Sequence, residues 1–302
     1  MLKPLQGVFA PVVTTFDQYT EELDLDAFAA NGRTLLAAGL DGLVVTGSTG
    51  EAALLDASER AKLVETARDI VPRDKLLIVG TGAESTRTCL QQTRDAAKRG
   101  ADAVLVVAPH YYSAAMTTDA LRTHYNRVAD ESPVPVALYS IPKYMHFAIP
   151  PALVAELALH ENIIGIKDSS GQRDLIAAYL ESQSEKFSVL TGNAQLFHHS
   201  VASGARGGIL AIALFAAGLS LDIYAAVRNG DDDAATAAQS RLTPLGAKIV
   251  GELGVPGVKA AMDRVGGGLH GGPVRSPLQP LNVEQREAVN EMLRSAELAA
   301  AA

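Results

Sequence analysis

Eight short apolar runs recur along this chain of 302 residues, and each is followed by a longer stretch of helical pattern. The runs are "GVFAPVVTTF" (7–16), "GLVVTGS" (42–48), "KLLIVGTG" (75–82), "AVLVVAP" (103–109), "PVALYSI" (135–141), "IIGIKDS" (163–169), "FSVLTGN" (187–193) and "GGILAIA" (207–213). They are nearly continuous in apolar residues rather than alternating. Such runs suit parallel strands covered on both faces. Eight strand–helix units within the first 230 residues predict a (β/α)8 TIM barrel. A doubly wound open sheet shares the alternation and is the competing architecture.

After residue 230 the strand runs stop. "DDDAATAAQSRLTPLGAKIVGEL", "VPGVKAAMDRV" and "NVEQREAVNEMLRSAEL" read as helices, with "GGGLHGGPVRSPLQP" as a long loop before the last. No Pro/Ser-rich linker precedes them. The expected organisation is a barrel over 1–230 and a C-terminal helical extension over 231–302, packed on the barrel as one structural unit. Asp56 and Glu59 are spaced as a capping pair opening a helix. The tail "AELAAAA" is expected to fray or to extend the last helix.

Composition narrows the function classes. The single cysteine, Cys89, allows no intrachain disulfide and fits a reducing, cytoplasmic setting. In a helical pattern with no basic neighbour, it is expected to pack rather than react. A formal charge of −8 without basic runs argues against nucleic acid as a partner. The start, "MLKPLQGVFAPVV", lacks the charged and apolar regions of a signal peptide. No run approaches the roughly 18 uncharged apolar residues of a membrane span.

In a barrel of this kind chemistry gathers where strands end and the following loops begin. Those positions carry "GSTGE" (47–51), "PHYY" (109–112), "LYSIP" (138–142), Lys167 and "TGN" (191–193). Lys167 is the most telling, because lysine rarely follows a buried apolar run. A buried lysine loses ammonium hydration and shifts towards the neutral amine, a nucleophile that forms a Schiff base with a ketone. The alternative is a barrel lysine paired with a carboxylate such as Asp168. Tyr139 is a candidate general acid and base, or simply a packed strand tyrosine. "GSTGE" is either turn chemistry or a cradle of hydroxyls and free N–H groups for a carboxylate.

"GSTGE", "PHYY", "LYSIP" and "GIKDSSG", in this order and spacing, resemble the dihydrodipicolinate synthase/N-acetylneuraminate lyase superfamily. The likeness covers nearly the whole chain, including "VPGVKAAMD" and "GGPVRSPLQPL". "GADAVLVVAPHYY", "SPVPVALYSIP", "IIGIKDSSG" and "VLTGNAQLF" are most similar to the 4-hydroxy-2-oxoglutarate aldolase branch. The resemblance implies a class I pyruvate-type aldolase or lyase. It needs no metal or other cofactor beyond a covalent Schiff base with its substrate. Its partners would be pyruvate or another 2-oxo acid and an aldehyde, for example glyoxylate released from 4-hydroxy-2-oxoglutarate. By the same resemblance Lys167 is the Schiff-base lysine and Tyr139 the proton shuttle. Ser48 and Thr49 hold the pyruvate carboxylate, and Ser48 also links the tyrosines. Tyr111 reaches across a dimer interface, and Ser169 and Gly192 line the pocket. A homotetramer or homodimer is implied.

Some positions depart from the family pattern. The synthase branch carries an arginine where this chain has Tyr144, with Lys143 beside it as a substitute charge. Met145 and His146 replace the small pair of the aldolase branch, and Arg173 is another cation that could enter the pocket. The second substrate therefore stays open, with 4-hydroxy-tetrahydrodipicolinate synthase and 2-keto-3-deoxy sugar-acid aldolase as alternatives. Ala57, Arg60 and His110 replace the synthase's lysine-feedback residues, so no lysine inhibition is expected. A metal-dependent barrel is a further class, but the seven histidines show no ligand spacing. A non-catalytic keto-acid binding protein is the last alternative.

Overall fold

The structure, a computed structural model, describes residues 4–298. Eight parallel strands form one sheet: β1 (Gly7–Pro11), β2 (Gly42–Val45), β3 (Leu76–Gly80), β4 (Ala103–Val107), β5 (Val136–Ser140), β6 (Ile163–Asp168), β7 (Ser188–Thr191) and β8 (Gly207–Ile209). Each strand pairs with the next, and β8 pairs back onto β1 with Val8 opposite Gly208. The sheet is thus a closed barrel, and the open doubly wound alternative is excluded.

Each apolar run holds a strand, but every strand is shorter than its run. "GGILAIA" stops being strand at Ile209 and coils into a 3-10 turn, Ala211–Leu214, with Ile212, Ala213 and Leu214 all buried. Apolar residues at the strand ends pack beneath the helices, so hydrophobicity alone overruns the ladder. Asp56 and Glu59 do form a reciprocal capping box on the helix Ala57–Ile70. Cys89 is fully buried, and burial pushes its thiol up to about 12, as suits a packing role.

The extension contains the helices Asp232–Leu245, Gly254–Val265 and Val283–Ser295. The sequence predicts one helix over 231–253, but a π-helical stretch, Gly246–Glu252, interrupts it. Pro244 sits just upstream, inside the last turn. It has no N–H for the Ser240 carbonyl and its ring crowds that group, so the ladder is re-registered immediately afterwards. Gly254–Val265 packs on Val283–Ser295 and on the 3-10 turn after β8. The last helix ends at Ser295, and residues 299–302 of the tail lie outside the described residues, as do residues 1–3. Among the described residues no helix is long and apolar enough to cross a membrane.

Candidate active site

The sheet register sets Lys167 on β6 directly beside Tyr139 on β5. Both side chains are buried, at 6% and 5% exposure, yet both reach a cavity at the carboxyl rim of the barrel. The Lys167 ammonium lies 4.2 Å from the centre of the Tyr139 ring, a cation–π contact. No carboxylate pairs with Lys167 among the described residues. Asp168, the partner weighed from sequence, faces the other way, as the next residue of a strand must. Its carboxylate accepts from the Ser170 N–H at 3.1 Å and the Ser170 hydroxyl at 2.8 Å. Burial pushes the Asp168 carboxyl up to about 6, against the lowering effect of the Ser170 bonds.

Gly192 makes room for this arrangement. A Cβ there would lie 2.0 Å from Ser169 Oγ and 2.7 Å from Lys167 Cε. Only glycine at the end of β7 lets the lysine stem and the Ser169 hydroxyl share the same corner. The Gly192 N–H donates to the Asp168 carbonyl at 2.6 Å, which locks the corner to β6.

The loop after β2 supplies the opposite wall. Thr46 and Glu51, at its two ends, have left-handed φ values of 52° and 55°. Between them Gly50 N–H donates to Gly47 O at 3.0 Å and Glu51 N–H to Ser48 O at 3.2 Å. The N–H groups of Ser48 and Thr49 have no partner among the described residues. Their hydroxyls stand beside them on a half-buried turn, a concave set of donors suited to an anion.

Ser48, Thr49, Tyr139, Tyr144, Lys167, Ser169 and Gly192 all line one cavity of about 160 Å³. Among the described residues its lining includes two cations, Lys167 and Lys143, and no carboxylate. Through Ser48, Tyr139, Ile141 and Tyr144 it adjoins a larger open cavity of about 880 Å³ that also reaches Arg60 and His110. Tyr144 stands at the junction, 42% exposed, with burial of its ring side and nearby Tyr139 raising its phenol. The Lys143 ammonium is held at the mouth by the Gly251 carbonyl at 2.8 Å.

Several positions noted in the sequence line neither cavity within the single chain. Tyr111 lines neither cavity and is 77% exposed, edge-on to Tyr112, with its N–H on Glu84 at 2.8 Å. Arg173 is exposed at the start of the helix Arg173–Leu180 and lines neither cavity. His146 is the left-handed cap of a short helix and faces solvent, while Met145 is core, accepting the Ile141 N–H on sulfur. Sequence reasoning also missed part of the lining. Val250, Gly251, Val255 and Val258 close the cavity from the extension. The glycines of "GAKIVGELGVPGVK" were the available signal, since small residues in a helical pattern often mark close approach. Among the described residues no group of three or more His, Cys, Asp or Glu side chains is arranged to hold a metal.

Fold and site together define an enzyme of the carbon–carbon lyase class. The chain belongs to the dihydrodipicolinate synthetase family, whose profile matches residues 4–296. A 4-hydroxy-tetrahydrodipicolinate synthase of Xanthomonas axonopodis pv. citri is 37% identical over 294 residues, covering 97% of this chain and 95% of its own. The synthase of that name from Methanospirillum hungatei is 33% identical over 290 residues, covering 95% and 98%. Among solved structures, the Escherichia coli K12 prophage protein YagE of the dihydrodipicolinic acid synthase family, in complex with pyruvate, superposes with a TM-score of 0.92. It is 29% identical and covers 98% of this chain and 99% of its own. The two sequence relatives carry the name 4-hydroxy-tetrahydrodipicolinate synthase, which corrects the expectation, drawn from the motifs quoted above, of a likeness nearest to 4-hydroxy-2-oxoglutarate aldolase. The discrepancy has a physical origin. The quoted motifs surround Lys167 and Tyr139 at the floor of the cavity and say little about its mouth.

Proposed function

We propose that the protein joins pyruvate to an aldehyde, and reverses that reaction, through an imine on Lys167. The observation that carries this reading is a buried lysine against the Tyr139 ring which, among the described residues, has no carboxylate partner and lines a small cavity with no acidic group. The Lys167 amine adds to the pyruvate ketone, and loss of water gives the iminium. Tyr139 carries the proton to the departing hydroxyl. The iminium draws electrons from the adjacent C–H bond, giving an enamine and releasing that proton. The enamine carbon then forms the new bond to the aldehyde carbon, whose oxygen takes a proton through Tyr139. Water releases the product and frees the amine. Ser48 and Thr49 hold the pyruvate carboxylate on their hydroxyls and N–H groups, and Ser169 and Gly192 shape the corner around the imine.

The barrel over 1–230 and the extension over 231–302 act as one unit in this reading, because the extension closes the cavity. Tyr111, exposed in the single chain, completes the relay of a second copy, so the working form is a homodimer or a homotetramer. The relatives' name supports aspartate semialdehyde as the acceptor, which makes the activity that of a 4-hydroxy-tetrahydrodipicolinate synthase. A second reading, cleavage of 4-hydroxy-2-oxoglutarate to pyruvate and glyoxylate, is favoured by one feature. No guanidinium lines the inner cavity among the described residues, and Tyr144 narrows its mouth.

Incubation with pyruvate and borohydride, followed by peptide mass mapping, is expected to find a reduced adduct on Lys167. No adduct, or one elsewhere, would overturn the mechanism. A panel of aspartate semialdehyde, glyoxylate, glyceraldehyde and N-acetylmannosamine with pyruvate then decides between the acceptors. The highest kcat/KM is expected for aspartate semialdehyde, and glyoxylate in first place would favour the second reading.

A further inference from the structure

The carboxylate-binding turn is bounded by two strained residues, and something outside it must hold each. Thr46 is β-branched and left-handed, an unfavoured combination. Its hydroxyl is bonded to the Gly80 carbonyl at the end of β3, at 2.9 Å. Thr14, just past β1, donates to the Gly50 carbonyl at 2.6 Å. These two clamps belong to the barrel. The remaining end, at left-handed Glu51, is held from the C-terminal extension. The Lys259 ammonium meets Glu51 Oε1 at 2.5 Å, with the two side chains 2% and 0% exposed. The Arg275 N–H donates to Glu51 Oε2 at 2.9 Å.

Lys259 is otherwise hard to account for. It is a lysine on the helix Gly254–Val265, 1% exposed, its ammonium 4.7 Å from the Phe16 ring centre and bonded to the Pro273 carbonyl at 2.6 Å. Burial lowers its pKa and Glu51 opposes that. Buried ion pairs add little net stability over an apolar replacement, so this one invites another role. The same helix lines the substrate cavity with Gly254, Val255 and Val258, the last being the residue before Lys259. One helix therefore touches the ligand cavity and the anchor of the turn that would grip the ligand.

We propose that Lys259 is a positioning residue for substrate-carboxylate binding, fixing the Ser48–Thr49 turn through Glu51 and so coupling the extension to the grip on the 2-oxo acid. This rests on the carboxylate-cradle role proposed above for that turn. Arg275 reinforces the coupling, since its guanidinium also pairs with Glu59 at 2.5 Å and donates to the Leu54 carbonyl at 3.0 Å, on the segment that follows the turn.

The test uses the full chain and the pyruvate concentration that gives half-maximal borohydride-trapped adduct. Lys259→Met or Glu51→Gln alone leaves one buried charge without its partner and can unfold the protein. The double variant Glu51→Gln, Lys259→Met removes both charges and is the decisive form. It is expected to stay folded by circular dichroism, to need at least about tenfold more pyruvate, and to reach an adduct yield within about threefold of the wild type at saturation. A folded double variant with the wild-type pyruvate dependence overturns the proposal, because a purely structural pair would behave that way.

Hydrogen exchange on the wild type gives an independent reading. Pyruvate is expected to slow exchange in 46–52 and also in 254–259 and 271–276. Slowing confined to 46–52 overturns the coupling. Wild type that forms no adduct at all overturns the catalytic reading, and this inference with it. An adduct with unaltered variant behaviour sinks the coupling alone.

Discussion

Lys167 and Tyr139 stand opposite each other on neighbouring strands, while Lys143 and Tyr144 stand one loop further out, at the mouth of the same cavity. The inner pair is set by sheet register, which a strand cannot alter without turning every side chain to its other face. The outer pair rides on the short helix Pro142–Met145, steadied by the Met145 core contact and by one bond from Lys143 to the π-helical stretch. On the proposed mechanism the chemistry sits on the part of the fold that cannot drift, and acceptor choice on the part that can. Substitutions at the floor should change turnover with every acceptor. Substitutions at the mouth should change the ranking of acceptors.

The largest effect is expected at the floor. Lys167→Met keeps the stem and removes the amine, so turnover should fall by about four orders of magnitude or more with every aldehyde. Mass mapping after borohydride should find no adduct. Residual turnover above that level would mean that the floor does not carry the chemistry. Gly192→Ala comes next, since its Cβ would press on Lys167 Cε and Ser169 Oγ. A displacement of about 1 Å at a reacting group can cost ~10²-fold, and that is the loss expected in kcat. The Tyr139-side relay should feel less from Tyr111→Phe. A drop of about tenfold in kcat without a change in melting temperature is expected for a relay member one step removed. Full activity would place Tyr111 outside the relay.

At the mouth the expected signature differs in kind. Lys143→Met should raise KM for acidic aldehydes by about tenfold, the worth of one charge-assisted contact, and leave glyceraldehyde unchanged. Equal losses for charged and neutral aldehydes would erase the distinction between floor and mouth.

The same division explains what the sequence disclosed. Continuous apolar runs announce parallel strands, and a lysine at the end of such a run announces the corner proposed to be reactive, because both are consequences of burial. Ser48, Thr49, Ser169 and Gly192 could be placed by resemblance, and they do meet Lys167 in one cavity. The contribution of Val250, Gly251, Val255 and Val258 is signalled in the sequence only by the glycines among them. It depends on how Pro244 disturbs the preceding helix and on which face then turns inward, and neither is a property of local hydrophobicity. Arg173 is a possibility that the sequence leaves open and the structure closes within the single chain. It follows the lysine loop closely in sequence, yet the helix it opens points its side chain to solvent.

The smallest expected effect separates two neighbours on one strand. Lys167 faces the cavity; Asp168, the next residue, is sealed behind it with Ser170. Burial raises the Asp168 carboxyl from an ordinary value of about 3.9 to about 6, which corresponds to on the order of 3 kcal/mol. Between these values the folded chain holds the proton more often than the unfolded chain does. Stability from this group is therefore greatest at about pH 4, declines as pH rises towards about 6, and is level above that. Asp168→Asn cannot ionise and keeps partners for Ser170. The melting-temperature difference, variant minus wild type, should be near zero at about pH 4 and grow more positive to about pH 7. Turnover with each aldehyde should change by less than about threefold, since Asp168 does not reach the substrate cavity. A difference that stays flat with pH would show that Asp168 ionises freely, and that the wall behind the lysine is wetter than its burial indicates.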